Sequence, residues 1–234
     1  MIPIQLTKSN FYMSEHERPM KKISAQTRNT FVQACHTAAN RGLMRASSGN
    51  LSLRLDGDRM LVTSSRSWLE NLTRDNISVC RISDGSLLEG RKPTVEIGFH
   101  AGILRARPEV NIVMHFQTPC ATTLACRQPG KTNYFVIPEI PFYIGHVAAV
   151  PYLPPGSREL AQAVTKAMRH HDMVMMANHG QVTVARDIDH AIQNAEFFEL
   201  ACAIILRGGD KIRPLPRKEI NALLALQQKA SSGA

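Results

Sequence analysis

The predicted fold is decided by residues 47–63, which read SSGNLSLRLDGDRMLVT. Apolar and polar side chains alternate strictly over residues 51–55, and that alternation is typical of a strand with one buried face. The turn formers of residues 56–58 come next, and residues 60–63 are again mostly apolar. The segment therefore predicts a β-hairpin that begins after a polar loop of serine, glycine and asparagine.

Helical periodicity on both sides of this hairpin predicts its covering layers. Helices are predicted at residues 24–44, 94–105, 121–126, 157–170 and 187–207, and short strands at 77–82, 111–116, 173–177 and 181–185. The hairpins and helices do not alternate as regular βαβ units. We therefore expect an α/β fold in which a central, mainly antiparallel sheet is covered by helices.

Length and composition favour one domain over residues 23–234, because 234 residues with 44% hydrophobic content can bury one large core. Residues 1–22 are charged, contain prolines and lack the apolar stretch of a secretory signal, so a flexible arm is predicted there. No apolar run is long enough for a transmembrane helix. The five cysteines are odd in number and widely spaced, which favours free buried thiols in a cytoplasmic protein.

The net charge of +9 constrains the partner. Lysine and arginine are scattered and aromatic residues make up only 6%, so no basic stripe with interleaved aromatics is present. That pattern argues against nucleic acid as the partner. A small anionic substrate fits the basic balance at least as well.

Three histidines, His115, His146 and His179, follow predicted strands, where an imidazole has room to bind a metal ion. The alternative is that each is an ordinary hydrogen-bonded surface residue, since no compact ligand motif is present. Glu96 falls in the first turn of a predicted helix, where the helix dipole favours the charged carboxylate. Such a carboxylate could move protons beside a cation, although the same placement is common for structural reasons.

Five short motifs then point to one family when they are taken in order. They are Ser48-Gly49-Asn50-Leu51-Ser52, Thr63-Ser64-Ser65, Lys92-Pro93-Thr94-Val95-Glu96, His115 and Asn178-His179-Gly180. Together they resemble the motifs of the class II aldolase/adducin family, over about residues 24–209. That family includes sugar-phosphate aldolases and epimerases, a dehydratase and some decarboxylases. The resemblance implies a three-layer fold and a homotetramer with sites at subunit interfaces.

The resemblance also implies roles for individual residues. Glu96 matches the catalytic acid/base, and His115 and His179 match ligands of one divalent metal ion per subunit, which would be zinc, manganese or iron. Tyr134 matches a tyrosine that acts on the substrate from across a subunit interface. The residues expected to bind the anionic substrate are Ser48, Gly49, Asn50, Ser65, Arg66 and Thr94.

Two departures from the family pattern bear on chemistry. The family's His-x-His motif reads His115-Phe116-Gln117 here, so Gln117, Glu96 or His146 would complete the metal site. Two histidines and a carboxylate suit iron or manganese. Arg66 stands where phosphate-using relatives have glycine, and its guanidinium suits a carboxylate or a phosphate.

These features predict a metal-dependent C–C lyase, an aldolase or a decarboxylase, that acts on a small anionic hydroxy-carbonyl compound or hydroxy acid through an enediolate. Three alternatives stay open on the sequence alone. They are a standard sugar-phosphate aldolase or epimerase, a non-haem iron oxygenase on the same fold, and a non-catalytic interaction module like the adducin head.

Overall fold

The computed structural model describes residues 22–127 and 129–232, which build one eight-stranded sheet. Its strands are β1 (Asn50–Arg54), β2 (Arg59–Thr63), β3 (Ile77–Arg81), β4 (Leu87–Gly90), β5 (Ile112–Phe116), β6 (Val147–Val150), β7 (Met173–Met176) and β8 (Gly180–Ala185). Their order across the sheet is β4-β3-β2-β1-β5-β8-β7-β6. Neighbouring strands are antiparallel except β6 and β7, which run parallel.

Helices cover both faces of the sheet. They are α1 (Ala25–Asn40), α2 (Ile97–Ala106), α3 (Pro119–Ala125), α4 (Arg158–Ala167), α5 (Ile188–Gly208) and α6 (Arg217–Ser232). Side chains of α1, α3 and α5 share one hydrophobic core with the sheet, and side chains of α2 and α4 share a second core on the opposite face. The expected three-layer α/β fold with a mainly antiparallel sheet is confirmed.

Several elements differ from the sequence-based expectation. Four elements of the structure are not predicted from the sequence: β4, β6, α6 and the π-helical turn Ile140–Ile144. Strand β6, helix α4 and strand β7 form the one βαβ unit among the described elements, in a sheet that is otherwise antiparallel. Helix α6 packs on the π-helical turn rather than on the sheet. The arm predicted for residues 1–22 falls, apart from Lys22, outside the described residues.

The cysteines are free thiols, as predicted, but they are not uniformly buried. Cys35, Cys80 and Cys202 lie in the cores, whereas Cys120 is half-buried and Cys126 is exposed. Among the described residues, no helix is both long and apolar enough to cross a membrane.

Candidate active site

Three strand ends meet at one end of the sheet and carry most of the candidate site. Asn50, at the start of β1, pairs with His115 near the end of β5. Strand β8 runs antiparallel to β5 and begins at Gly180, directly after His179. Because β1 and β8 both start where β5 ends, the side chains of Asn50, His115 and His179 are brought together.

Glu96 reaches the same place from the start of α2. Helix α2 begins at Ile97, later than predicted, so Glu96 is its N-cap residue rather than part of its first turn. The reason is that the preceding segment continues the sheet: Pro93 forms a bridge with Ser64, and the Thr94 backbone N–H donates to the Thr63 carbonyl. This pairing fixes where the Glu96 carboxylate enters the site.

The three candidate ligands are in mutual contact. Glu96 Oε2 lies 3.5 Å from His115 Nε2, and Glu96 Oε1 lies 3.4 Å from His179 Nε2. One donor atom from each residue can be chosen so that all lie within 4.8 Å of one another. The structure thus places these three predicted residues within reach of one another.

The hydrogen bond made by Nδ1 decides which tautomer the neutral His115 ring adopts. His115 Nδ1 lies 2.8 Å from the backbone carbonyl oxygen of Gln181. Because a carbonyl only accepts, Nδ1 carries the proton and donates, which leaves a lone pair on the Nε2 atom that faces Glu96. A ring held in this way by its outer nitrogen is a common arrangement in metal-binding histidines.

A carboxylate oxygen without a hydrogen-bond partner also indicates that the site fits a divalent ion. Among the described residues, Glu96 Oε1 is buried and has no hydrogen-bond donor. Leaving a buried carboxylate oxygen unpaired is costly, and a cation between it and the two imidazoles would remove that cost. The residues present therefore fit a divalent metal ion.

The electrostatics agree with an ionised Glu96 carboxylate beside a neutral His179 imidazole. Burial raises the pKa of Glu96, but attraction to His115 and the hydrogen bond from Asn50 outweigh burial, so the pKa lies below its usual value. Burial, with repulsion from His115, lowers the pKa of His179 to about 4 despite the attraction of Glu96. At neutral pH the site therefore offers an ionised Glu96 carboxylate and a neutral His179 imidazole.

These residues line a cavity of about 250 Å³. The cavity is also bordered by the loops at residues 47–50 and 64–67 and by Gln117, and it contains every predicted metal-binding and anion-binding residue. Gln117 therefore lines the same cavity as the three candidate ligands. His146 is not among the cavity residues, and its ring packs against Phe135 instead.

Two glycines make this close arrangement possible. Gly49 has a φ of +76°, and a Cβ there would lie 2.8 Å from the His115 carbonyl oxygen. A Cβ on Gly180 would lie 2.9 Å from His115 Cε1 and 2.8 Å from the Phe116 carbonyl oxygen. Side chains at either position would displace His115 or its strand.

Comparison with known proteins identifies the family. The family model of the class II aldolase and adducin N-terminal domain matches residues 29–206. The chain belongs to the class II aldolase/adducin family. It is 31% identical, over 206 residues, to a 3-oxo-tetronate 4-phosphate decarboxylase of Escherichia coli, covering 86% of this chain and 97% of that enzyme.

Two further class II aldolase relatives widen this comparison. An L-fuculose phosphate aldolase of Methanococcus maripaludis is 31% identical over 169 residues, which are 72% of this chain and 90% of that enzyme. The crystal structure of YgbL from Klebsiella pneumoniae is 30% identical, with a TM-score of 0.79 over 85% of this chain and 97% of that one. With decarboxylases and aldolases as its relatives, this class II aldolase family member is a lyase.

Tyr134, like His146, is a predicted site residue that does not line the cavity. Its side chain is buried in the core beneath α5 and packs against Phe198. Burial raises the pKa of Tyr134 above its usual value, although a hydrogen bond with Thr132 acts in the opposite direction. Its catalytic role across a subunit interface stays a prediction, and its position in this chain is that of a core residue.

Backbone strain is concentrated in the loops of the site. Arg66 and Asn178 are non-glycine residues with φ values of +60° and +55°. L-residues adopt this left-handed region at a cost and often do so at functional sites. Arg66 occupies a position where the family resemblance has glycine, and its φ is one that glycine adopts without strain.

One residue that the sequence interpretation missed stands behind the site. His100 is fully buried and hydrogen bonded to Asn50, which in turn is bonded to Glu96. Its spacing of four residues from Glu96 would have been a usable signal, because residues at that spacing share a helix face.

Proposed function

We propose that this class II aldolase family member is a divalent-metal-dependent decarboxylase that acts on a small 3-oxo acid with a second anionic group. The observation that carries the proposal is Arg66, which adopts a positive φ on the wall of the cavity that contains Glu96 and His115. A guanidinium there can bind a carboxylate or phosphate through two hydrogen bonds. The identity with 3-oxo-tetronate 4-phosphate decarboxylases supports the same substrate class.

One divalent ion per subunit would be held by His115, His179 and Glu96, with the amide oxygen of Gln117 as a further donor. Bound there, such an ion would polarise the substrate's oxygens and stabilise the negative charge that develops as a C–C bond breaks. A ligand set of two imidazoles, a carboxylate oxygen and an amide oxygen suits manganese or iron better than a set with three imidazoles does. We therefore favour manganese or iron over zinc.

The remaining steps belong to the side chains. The anionic groups of the substrate would be bound by Arg66 and by the hydroxyls of Ser65 and Thr94. This binding would orient the bond between the leaving carboxylate and its neighbouring carbon for cleavage. Carbon dioxide leaves, and its bonding electron pair moves through that carbon to the ketone oxygen. Glu96 then passes a proton from solvent to the same carbon, which completes the exchange of carboxylate for hydrogen.

The test is a substrate panel assayed with manganese, zinc or iron. It pairs 3-oxo acids, with and without a terminal phosphate, against ketose 1-phosphates, and it follows carbon dioxide release, aldehyde release and oxygen uptake. We expect decarboxylation of a 3-oxo acid, and we expect Arg66→Ala to weaken it mainly through KM. Arg81→Ala is the matched control, because Arg81 pairs with Asp58 outside the cavity.

Two other outcomes would replace the proposal. Efficient cleavage of a ketose 1-phosphate that is indifferent to Arg66→Ala would make the chain a standard sugar-phosphate aldolase, in keeping with the fuculose phosphate aldolases among its relatives. Oxygen uptake that depends on iron would make it an oxygenase.

We further propose that the enzyme is a homotetramer with its sites between subunits. Two exposed apolar side chains support an interface at the cavity: Val95, which lines it, is 54% exposed, and Trp68, which follows cavity residue Ser67, is 52% exposed. The free cysteines suit a reducing compartment, so we place the enzyme in the cytoplasm.

A further inference from the structure

A row of buried polar side chains runs from the cavity into the layer between β1 and α2. Its members are Glu96, Asn50, His100 and Ser52, which are 5%, 7%, 0% and 0% exposed. Asn50 and Ser52 lie two residues apart on β1 and so point to one face of the sheet. Glu96 and His100 lie four residues apart at the start of α2 and so face the same way. The two-residue repeat of the strand and the four-residue spacing on the helix therefore bring these side chains together in one row.

Each neighbouring pair in this buried polar row is hydrogen bonded. Asn50 Nδ2 lies 2.8 Å from Glu96 Oε2. Asn50 Oδ1 lies 2.6 Å from His100 Nε2, and His100 Nδ1 lies 2.7 Å from Ser52 Oγ. The row is continuous from the carboxylate to a serine hydroxyl in the middle of β1.

The direction of every hydrogen bond follows from the first one. An ionised carboxylate only accepts, so the Asn50 amide nitrogen must face Glu96 and the Asn50 oxygen must face His100. The Asn50 oxygen needs a donor, so His100 carries its proton on Nε2. His100 Nδ1 then accepts from the Ser52 hydroxyl. Burial lowers the pKa of His100 to about 3, so the ring is neutral and keeps one defined tautomer at neutral pH.

We propose that His100 is a positioning residue that holds the Asn50 amide, so that Glu96 Oε2 is fixed and Glu96 Oε1 is presented to the cavity. The unpartnered Oε1 faces His179, while the partnered Oε2 is held from behind. Without the Nε2–H donor, the Asn50 amide can rotate, and the carboxylate loses its fixed orientation. This inference rests on the proposed metal-dependent function, because the orientation matters for the ion that Glu96 would bind.

The alternative is that His100 only fills space in the core between α2 and the sheet. The two roles are separated by variants of similar size. His100→Gln can keep an N–H directed at Asn50, whereas His100→Met fills a similar volume with no donor. Ile103→Val is the packing control, because Ile103 is fully buried on the same helix and lies outside the row.

The first measurement is manganese affinity of chelator-stripped protein by titration calorimetry, alongside the melting temperature of the metal-free form. We expect His100→Met to weaken manganese binding by roughly 10–100-fold, the usual cost of losing a partner behind a metal ligand. His100→Gln should bind close to the wild type, and Ile103→Val should lower the melting temperature with unchanged affinity. Wild-type affinity in His100→Met would overturn the inference.

The second measurement needs no metal, so it separates this inference from the proposed function. In metal-free protein the Asn50 side-chain amide should give slowly exchanging NMR signals in the wild type and in His100→Gln, and rapidly exchanging ones in His100→Met. If wild-type protein bound no manganese, zinc or iron, the proposed function would fail while this comparison still decided the role of His100. Equal exchange in all three proteins would overturn it.

Discussion

A neutral imidazole in the core makes stability depend on pH. The pKa of His100 is lowered from 6.5 to about 3, first by burial and then by His115, against the attraction of Glu96. Below pH 6.5 the unfolded chain therefore binds a proton that the folded chain does not, so stability falls as the pH falls from about 6.5 towards about 3. His100→Gln removes this contribution of His100 to the pH dependence of the free energy of unfolding.

Urea unfolding of metal-free protein at a series of pH values measures it. Across this window the wild-type free energy of unfolding should fall more steeply than that of His100→Gln, by up to about 1.4 kcal/mol per pH unit. His179, whose pKa is also lowered, contributes equally to both proteins and cancels from the difference. Parallel curves would show that His100 is protonated in the fold.

The role of Glu96 as a proton carrier gives a second prediction at this scale. Glu96→Gln keeps the side-chain volume and the contact with Asn50 but cannot exchange a proton. We expect kcat at saturating metal to fall by roughly 10²-fold or more. Circular dichroism should stay close to the wild type, and kcat is compared at saturating metal because loss of the carboxylate should also weaken metal binding. An active Glu96→Gln enzyme would remove Glu96 from the proton transfer, whatever the substrate proves to be.

Among the strands, the contact between β5 and β8 is decisive for the metal ligands. A Cβ on Gly180 would meet backbone at 2.8 Å and the His115 ring at 2.9 Å, so Gly180→Ala must move the strand or the ligand. We expect a loss of about 1–3 kcal/mol in stability together with weaker metal binding. Gly57→Ala is the matched control, because a Cβ on Gly57 meets nothing within 4 Å. Equal effects in both variants would contradict the prediction.

The sequence predicts well those elements that depend on short-range sequence pattern. The alternation in residues 51–55 and the cap of α4 at Ser157 are local, and both match the structure. Strand β4 is mostly exposed and ends in glycine, so it carries no alternating signal. Helix α6 packs mainly on an irregular turn, and β6 needs a parallel partner from another part of the chain. Non-local pairing decides such elements, and a single sequence does not display it.

The same distinction applies to the site. The order of the motifs is enough to predict that Glu96, His115 and His179 belong to one site. Each lies close to a glycine, a proline or a strand end, and local sequence pattern reveals these features. Tyr134 was chosen by its distance along the chain from His115, and that distance contains no information about burial. The spacing of four residues between Glu96 and His100 shows that they share a helix face, but the role of His100 depends on its partner Asn50, which lies on another element.

For the whole molecule, the exposed apolar surface around the cavity has to be explained. Trp68 is 52% exposed and follows cavity residue Ser67, while Val95 is 54% exposed and itself lines the cavity. Clustered apolar surface of this kind marks interaction sites in proteins. We therefore place one interface of the proposed tetramer at this surface.

Trp68→Glu tests this assembly directly. A buried unpaired carboxylate in an interface is strongly unfavourable, so we expect sedimentation analysis to show species smaller than a tetramer. Decarboxylase activity should fall with the tetramer fraction, while the circular dichroism of the chain is kept. Leu226→Glu is the matched control, because Leu226 is 50% exposed on α6 and is not a cavity residue. If Trp68→Glu stayed tetrameric and active, Trp68 would be surface rather than interface, and the cavity of one subunit would have to be sufficient for catalysis.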